Sequence, residues 1–170
     1  MTLHSNNLVF FDTEFSDLDP YKGEILSLGM VKMNGDELYV ELEHEGEVSD
    51  WVQEHVLPHM TEEKVNRDEA RERIAAFCGE PKPFPVALVP QYDMVYLSKL
   101  FGWEHLPVNW YAVDFASILF ANGVDPEDYL ERNDHRLIKE LGIDMGDVRV
   151  HRAIDDARLL REVFLKFAGI

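Results

Sequence analysis

From Leu8 to Ser16 the chain reads Leu-Val-Phe-Phe-Asp-Thr-Glu-Phe-Ser, an apolar run with two carboxylates set near its end. Strand side chains alternate between faces, so Leu8, Phe10, Asp12 and Glu14 share one side and Val9, Phe11, Thr13 and Phe15 the other. Apolar residues on both faces predict a central strand with structure packed above and below it. A second strand is read over Ile25 to Met33, and Asn34-Gly35 is a strong hairpin signal. Leu38, Val40 and Leu42 then alternate with Tyr39 and Glu41 in a returning strand, giving a three-stranded antiparallel meander.

The pattern changes period after residue 50. Asp50 to His59 reads as a short helix ended near Pro58, and Asn66 caps a second helix, with Glu69 completing a capping-box-like pair. Ala70, Ile74, Phe77 and Cys78 follow at helical spacing as its buried face. Pro81, Pro83 and Pro85 break the chain before a short apolar strand, Val86 to Val89, which Pro90 ends. Tyr92 to Phe101 reads as a helix with Met94, Leu97 and Phe101 inward, and Tyr111 to Asp114 as a last short strand running into a helix over Phe115 to Ala121. Asp125-Pro126 opens a short polar helix, Arg136 to Leu141 forms another, and Arg152 to Ala168 is a long closing helix. Strands joined through helices run parallel, so the expected α/β fold is a mixed five-stranded sheet, three antiparallel strands and then parallel ones, with helices on both faces.

The length of 170 residues fits one domain, residues 1–170, and 46% hydrophobic with 29% charged residues is a globular composition. No apolar run approaches the roughly 20 residues that cross a bilayer. Met1 to Asn7 is polar and lacks the basic-then-apolar plan of a signal peptide. Cys78 is alone and sits among Ala75, Ala76 and Phe77, where a buried, inert thiol is expected; a cytoplasmic location follows. The net charge of −17 argues against a polyanionic partner. That excess belongs to the first 131 residues, however. From Arg132 to Ile170 acids and bases nearly balance, so the tail of the chain is where a polyanion is tolerated.

Two acids in a covered strand require a counter-charge, because a buried, unpaired carboxylate loses several kcal/mol of hydration. Positions i and i+2 of a strand lie about 6–7 Å apart, within reach of one divalent ion. In the closing helix, at about 100° per residue, Ala153, Leu160, Val163 and Phe167 fall on the same side as Asp156. Asp156 thus heads the apolar stripe, whereas Asp155 is expected to be a solvated acid at the helix start. His151 lies five positions before Asp156, about 140° away on an ideal helix. The two converge only if His151 occupies a loop after a strand-like Val148 to Val150. A histidine titrating near 6.5 suits general-base work. Asp93 follows the Val86 to Val89 strand, at the kind of carboxyl end where α/β sheets build sites. If that strand runs parallel beside the first, Asp12, Glu14, Asp93 and Asp156 converge. All-oxygen ligation then favours magnesium or manganese over zinc.

Asp12-Thr13-Glu14, Tyr92-Asp93 and His151-(x4)-Asp156 resemble, in order, the three motifs of DEDDh 3′–5′ exonucleases, the DnaQ-like branch of the ribonuclease-H-like fold. The resemblance covers nearly the whole chain. Phe-Asp-Thr-Glu-Phe and Tyr-Asp-x-Val are most similar to a small bacterial and phage group of exoribonucleases. Many members carry Asn four residues before the second-motif acid; here that position is Val89, which points away from the proofreading subgroup. The resemblance implies a single exonuclease domain that hydrolyses nucleic acid, RNA favoured over DNA, with two divalent ions, Mg2+ or Mn2+. Asp12 bridges both ions in that scheme, Glu14 and Asp156 hold one of them and Asp93 the other. His151 takes the proton of the attacking water, and Phe15 and Ser16 meet the terminal nucleotide.

Two other readings are kept, a DNA-directed exonuclease and a catalytically inactive exonuclease fold that only binds; a homodimer is also left open. A calcium loop starting at Asp12 fails because Asp17 stands where that loop requires glycine. His55 and His59 have zinc-like spacing, but Pro58 interrupts their helix.

Overall fold

The computed structural model describes residues 2–146 and 148–170; Met1 and Asp147, one of the acids of the charge-balanced tail, lie outside the described residues. Among the described residues six strands form one sheet: β1 (Leu8–Phe15), β2 (Ile25–Lys32), β3 (Glu37–Leu42), β4 (Lys64–Val65), β5 (Phe84–Ala87) and β6 (Val113–Asp114), in the order β4-β3-β2-β1-β5-β6. The first three pair antiparallel, and β1–β5, β5–β6 and β3–β4 pair parallel. The mixed sheet is as expected, but with one more strand than five. The additional strand, β4, is two residues long and too short to show any periodicity; it pairs Lys64 with Glu41 and Val65 with Leu42. β5 also starts earlier than expected and ends at Ala87 rather than Val89, and β6 keeps only the last half of Tyr111 to Asp114. Val148 to Val150 forms no strand.

The helices are α1 (Asp50–His55), α2 (Arg67–Cys78), α3 (Gln91–Phe101), α4 (Phe115–Ala121), α5 (Arg136–Glu140) and α6 (Ala153–Ala168), with short 3-10 turns between some of them. Pro58 sits in one such turn, Leu57–His59, directly after α1. The Asn66 side chain accepts from the N–H groups of Asp68 and Glu69, satisfying two orphan donors of α2. Glu69 does not return the capping bond expected of it; it pairs with Arg73.

Alternation along β1 divides the core in two. Val9 and Phe11 pack with Ala70, Ile74, Tyr96 and Leu97 of α2 and α3. Leu8 and Phe10 pack on the other face with Phe115, Leu160, Val163 and Phe164 of α4 and α6. Cys78 is buried, its Sγ 3.9 Å from Met30 Sδ, and burial pushes its thiol up to about 12. No helix among the described residues is long and apolar enough to cross a membrane.

Gly29 sets how closely α6 approaches the sheet. It stands opposite Asp12 in the register, and a Cβ there would lie 2.4 Å from backbone atoms of Ala153 and Ile154. Since backbone cannot swing aside as a side-chain tip can, Gly29→Ala is expected to cost about 1–3 kcal/mol. The check is the urea midpoint; an unchanged midpoint would show that α6 is not seated against β2 as described.

Candidate metal centre and active site

Asp12 and Glu14 leave β1 on the face that α6 covers, and the first turns of α6 pass beside them. Carboxylate oxygens of Asp12, Glu14 and Asp156 all lie within 4.8 Å of one another. Burial pushes the Asp12 carboxyl well above the usual carboxylate range, and the negative charges of Asp93, Asp156 and Glu14 push it further. Glu14 is raised to about 8, by burial first and then by Asp156 and Asp93. Burial also raises Asp156 to about 7, against a hydrogen bond in which the His151 N–H donates to Asp156 Oδ2 at 2.9 Å. No ordinary surface acid cluster behaves this way. Grouped and dehydrated carboxylates stay ionised near neutrality only beside a cation, and an all-oxygen set of this kind fits a hard divalent ion.

Asp93 stands apart from that trio. It lies in the first turn of α3, buried, and its Oδ1 accepts both from Thr13 N–H at 3.0 Å and from Thr13 Oγ1 at 2.7 Å. Thr13, on the opposite face of β1 from its neighbours Asp12 and Glu14, thereby ties α3 to the strand. Burial raises Asp93 to about 6, and the Thr13 bonds oppose the rise. One Asp93 oxygen is committed to Thr13, and its charge still bears on Asp12 and Glu14.

His151 lies in the turn ahead of α6, with a left-handed φ of 65°. The backbone N–H of His151, rather than its ring, reaches Asp156. The imidazole is half-buried and stands edge-on to Trp51 at 4.9 Å, and Trp51 stacks in turn on His55 at 4.8 Å. Burial lowers the His151 pKa, helped by His55 and His59 and opposed by Glu131, so the ring is neutral at pH 7. His55 and His59 belong to the surroundings of His151 and not to the three-acid grouping.

Phe15 stacks on Tyr96 at 4.4 Å and on Tyr92 at 5.7 Å and packs against the core under α2 and α3. Tyr92 is 43% exposed and forms the open end of that ring stack. Ser16 is buried at 2% exposure. Its Oγ accepts from Glu24 N–H at 2.9 Å, and its carbonyl accepts from Ser49 N–H, so it ties loops together and offers no open face to a nucleotide.

Asp155 requires a correction. Expected to be solvated, it is 6% exposed and is bonded by Arg149, Arg152 and Arg158. A single-stripe reading of α6 fails here because the start of the helix is covered on two sides. Ile154 and Ala157 pack on Val31 and Tyr39, beyond the main stripe. Tyr129 is a further residue beside the acids that no sequence pattern marks. It is buried on a 3-10 turn, and its phenol is pushed up by burial and by the charges of Asp156 and Asp12, which places it beside the acids. A lone tyrosine in a polar four-residue turn carries no periodic signal.

A separate polar cavity of about 420 Å³ opens between β3 and the start of α6, lined by Glu37, Tyr39, Glu41, Glu62, Arg152 and Arg158 among others; none of the grouped carboxylates lines it.

No protein-family model matches the sequence. The DNA polymerase III PolC-type of Thermotoga maritima is 26% identical over 178 residues, an alignment that covers 98% of this chain. The chain spans only 12% of the length of that curated relative. A solved exonuclease I superposes with a TM-score of 0.67 at 13% identity, covering 95% of this chain and 40% of the other. A 3′-exonuclease described in 3′-end-specific recognition of histone mRNA stem-loop gives a TM-score of 0.68 at 10% identity, covering 95% of this chain and 81% of the other. A zinc-bound complex of E. coli exonuclease I with single-stranded DNA gives 0.65 at 13% identity, covering 95% and 40%. At these identities the likeness establishes a shared ribonuclease-H-like fold.

Proposed function

We propose that the chain is a metal-dependent 3′–5′ exonuclease of the DEDDh type that hydrolyses phosphodiester bonds at the 3′ end of RNA, on single strands or overhangs. The observation that carries this reading is the convergence of Asp12, Glu14 and Asp156 into one half-buried, proton-hungry group within reach of Asp93's charge. The fold shared with solved exonucleases on DNA and on RNA supports it.

Asp12, Glu14 and Asp156 would hold the divalent ions, with Asp93 contributing from the α3 side. When bound, such ions supply positive charge to the attacking and leaving oxygens of the phosphoryl group. Thr13 fixes the Asp93 carboxylate by two hydrogen bonds, so that one oxygen is oriented before substrate arrives. His151, neutral at pH 7, accepts the proton of the attacking water as oxygen joins phosphorus and the bond to the leaving sugar oxygen breaks. The exposed Tyr92, backed by Phe15, offers a face on which a base can stack, a contact worth about 1–3 kcal/mol. With a net charge of −17 the protein repels a polyanion, and divalent ions held by Asp12, Glu14, Asp93 and Asp156 would offset the charge of those carboxylates where the phosphate docks.

DNA as the substrate is the second reading, favoured by the likeness to the PolC-type polymerase and to the single-stranded DNA complex. End-labelled RNA and DNA strands and overhang duplexes, incubated with Mn2+ or with chelator, separate the two. The expected product is a ladder shortening from the 3′ end of RNA, absent with chelator. Shortening of DNA alone would assign the second reading, and no shortening of either would reject nuclease activity. His151→Ala is expected to slow the reaction by roughly 10²-fold or more; a wild-type rate would remove this histidine from the chemistry.

A further inference from the structure

Resting on that reading, we propose that Asp155 is a positioning residue, whose carboxylate gathers Arg149, Arg152 and Arg158 and so fixes the turn that presents His151. Asp155 Oδ2 lies 3.1 Å from Arg149 Nε and 3.6 Å from Arg152 Nη1, and Oδ1 lies 2.7 Å from Arg158 Nη1. Arg149 and Arg152 stand on either side of His151, so both ends of its turn are fastened to the first turn of α6. His151 holds a left-handed backbone, which a residue bearing a side chain keeps only where its surroundings impose it.

The anchor continues into the sheet. The Arg152 guanidinium lies over the Tyr39 ring at 4.6 Å and reaches Glu62 Oε1 at 3.4 Å. Arg158 bonds both carboxylate oxygens of Glu37 in β3. Asp155 is the buried anion where the three guanidinium groups meet. Removing its charge leaves them facing one another, with Glu37 and Glu62 as their remaining acidic partners, both more exposed. Repulsion then opens the turn from both ends, and the His151 ring loses its seat against Trp51. Asp155 is not one of the grouped carboxylates, and its effect reaches the reaction chiefly through the His151 turn. Because the His151 N–H bonds Asp156 and the Asp155 charge bears on Asp156, ion affinity shifts with it, and the positioning role is read at saturating Mn2+.

Three variants test this: Asp155→Asn, Arg149→Ala and Arg149→Lys. Arg149 is about half exposed, so its removal leaves the core intact even if Asp155→Asn fails to fold. With Mn2+ and a labelled strand, Arg149→Ala is expected to lower kcat by about tenfold and Asp155→Asn by more, since small displacements of a reacting group are costly. KM should stay within about twofold of wild type, the loss of kcat should persist at saturating Mn2+, and Arg149→Lys should recover part of kcat. Tryptophan emission gives a readout without turnover: both disruptive variants should shift toward the spectrum of His151→Ala, because Trp51 loses the same edge contact. Wild-type kcat and emission in Arg149→Ala and Asp155→Asn, beside an impaired His151→Ala, would overturn the positioning role and leave the exonuclease reading standing. A kcat that saturating Mn2+ restores to the wild-type value in both variants would also overturn it. An unimpaired His151→Ala would overturn the positioning role and remove this histidine from the chemistry, while the exonuclease reading stands or falls on the labelled-strand assay.

Discussion

Asp12→Asn is expected to reduce nuclease turnover by about a thousandfold or more while raising the melting temperature of the metal-free protein. The two effects share one cause. Asp12 is the carboxylate on which burial and three acidic neighbours converge, so it is costly to ionise when no cation is present. The amide keeps the shape and removes the charge. Losing a group that stabilises developing charge typically costs 10²–10³-fold, and a carboxylate that would hold the ions at the centre of the group stands at or above the top of that range. Each kcal/mol of relieved repulsion is worth about 2–4 °C in a chain of this size. Steady-state rates and a thermal melt at pH 8 in chelator check both halves. A variant that is active, or one that melts well below wild type, would mean that Asp12 serves the fold and not the chemistry.

Chelation should abolish turnover and also make stability depend on pH. In the unfolded chain these carboxyls titrate near 4. In the metal-free folded protein Asp93, Asp156 and Glu14 are raised to about 6, 7 and 8. Between those limits the folded state binds more protons than the unfolded state, so stability falls as pH climbs from about 4 to about 8, and Asp12, raised well above the carboxylate range, acts in the same direction. Mn2+ or Mg2+ should reverse the trend, because the ion competes with protons and gains affinity as pH rises. At a hundredfold excess over its dissociation constant a ligand adds about 2.7 kcal/mol. Melting temperatures from pH 5 to 9, with chelator and with Mn2+, give the comparison. Parallel curves would show that no ion binds among these acids.

Much of this arrangement is legible in one dimension because β1 obeys a period of two. Leu8 and Phe10 announce the face on which Asp12 and Glu14 emerge, and Val9 and Phe11 announce the other; the two cores divide along that line. α6 is legible in part. Its strong stripe places Asp156 inward, but the second covered side, where Asp155 is buried, comes from β2 and β3 and has no signature in the helix itself. The same limit applies to Thr13 and Asp93. Their hydrogen bonds join residues 80 positions apart, and no local pattern encodes that meeting. β4 is defined by its partner, not by its own two residues. The turn before α6 looks strand-like in sequence because Val148 and Val150 alternate with Arg149, but Val148 packs on the core and Arg149 pairs with Asp155, with no neighbouring strand to pair with among the described residues.

The account stands on the grouped acids acting as a cation site, and calorimetric titration of Mn2+ into the metal-free protein at pH 6 and pH 8 measures that directly. Saturable binding, tighter at pH 8, accompanied by proton release and lost in Asp12→Asn, is the predicted result. No saturable heat at either pH, or binding that Asp12→Asn leaves unchanged, would contradict it.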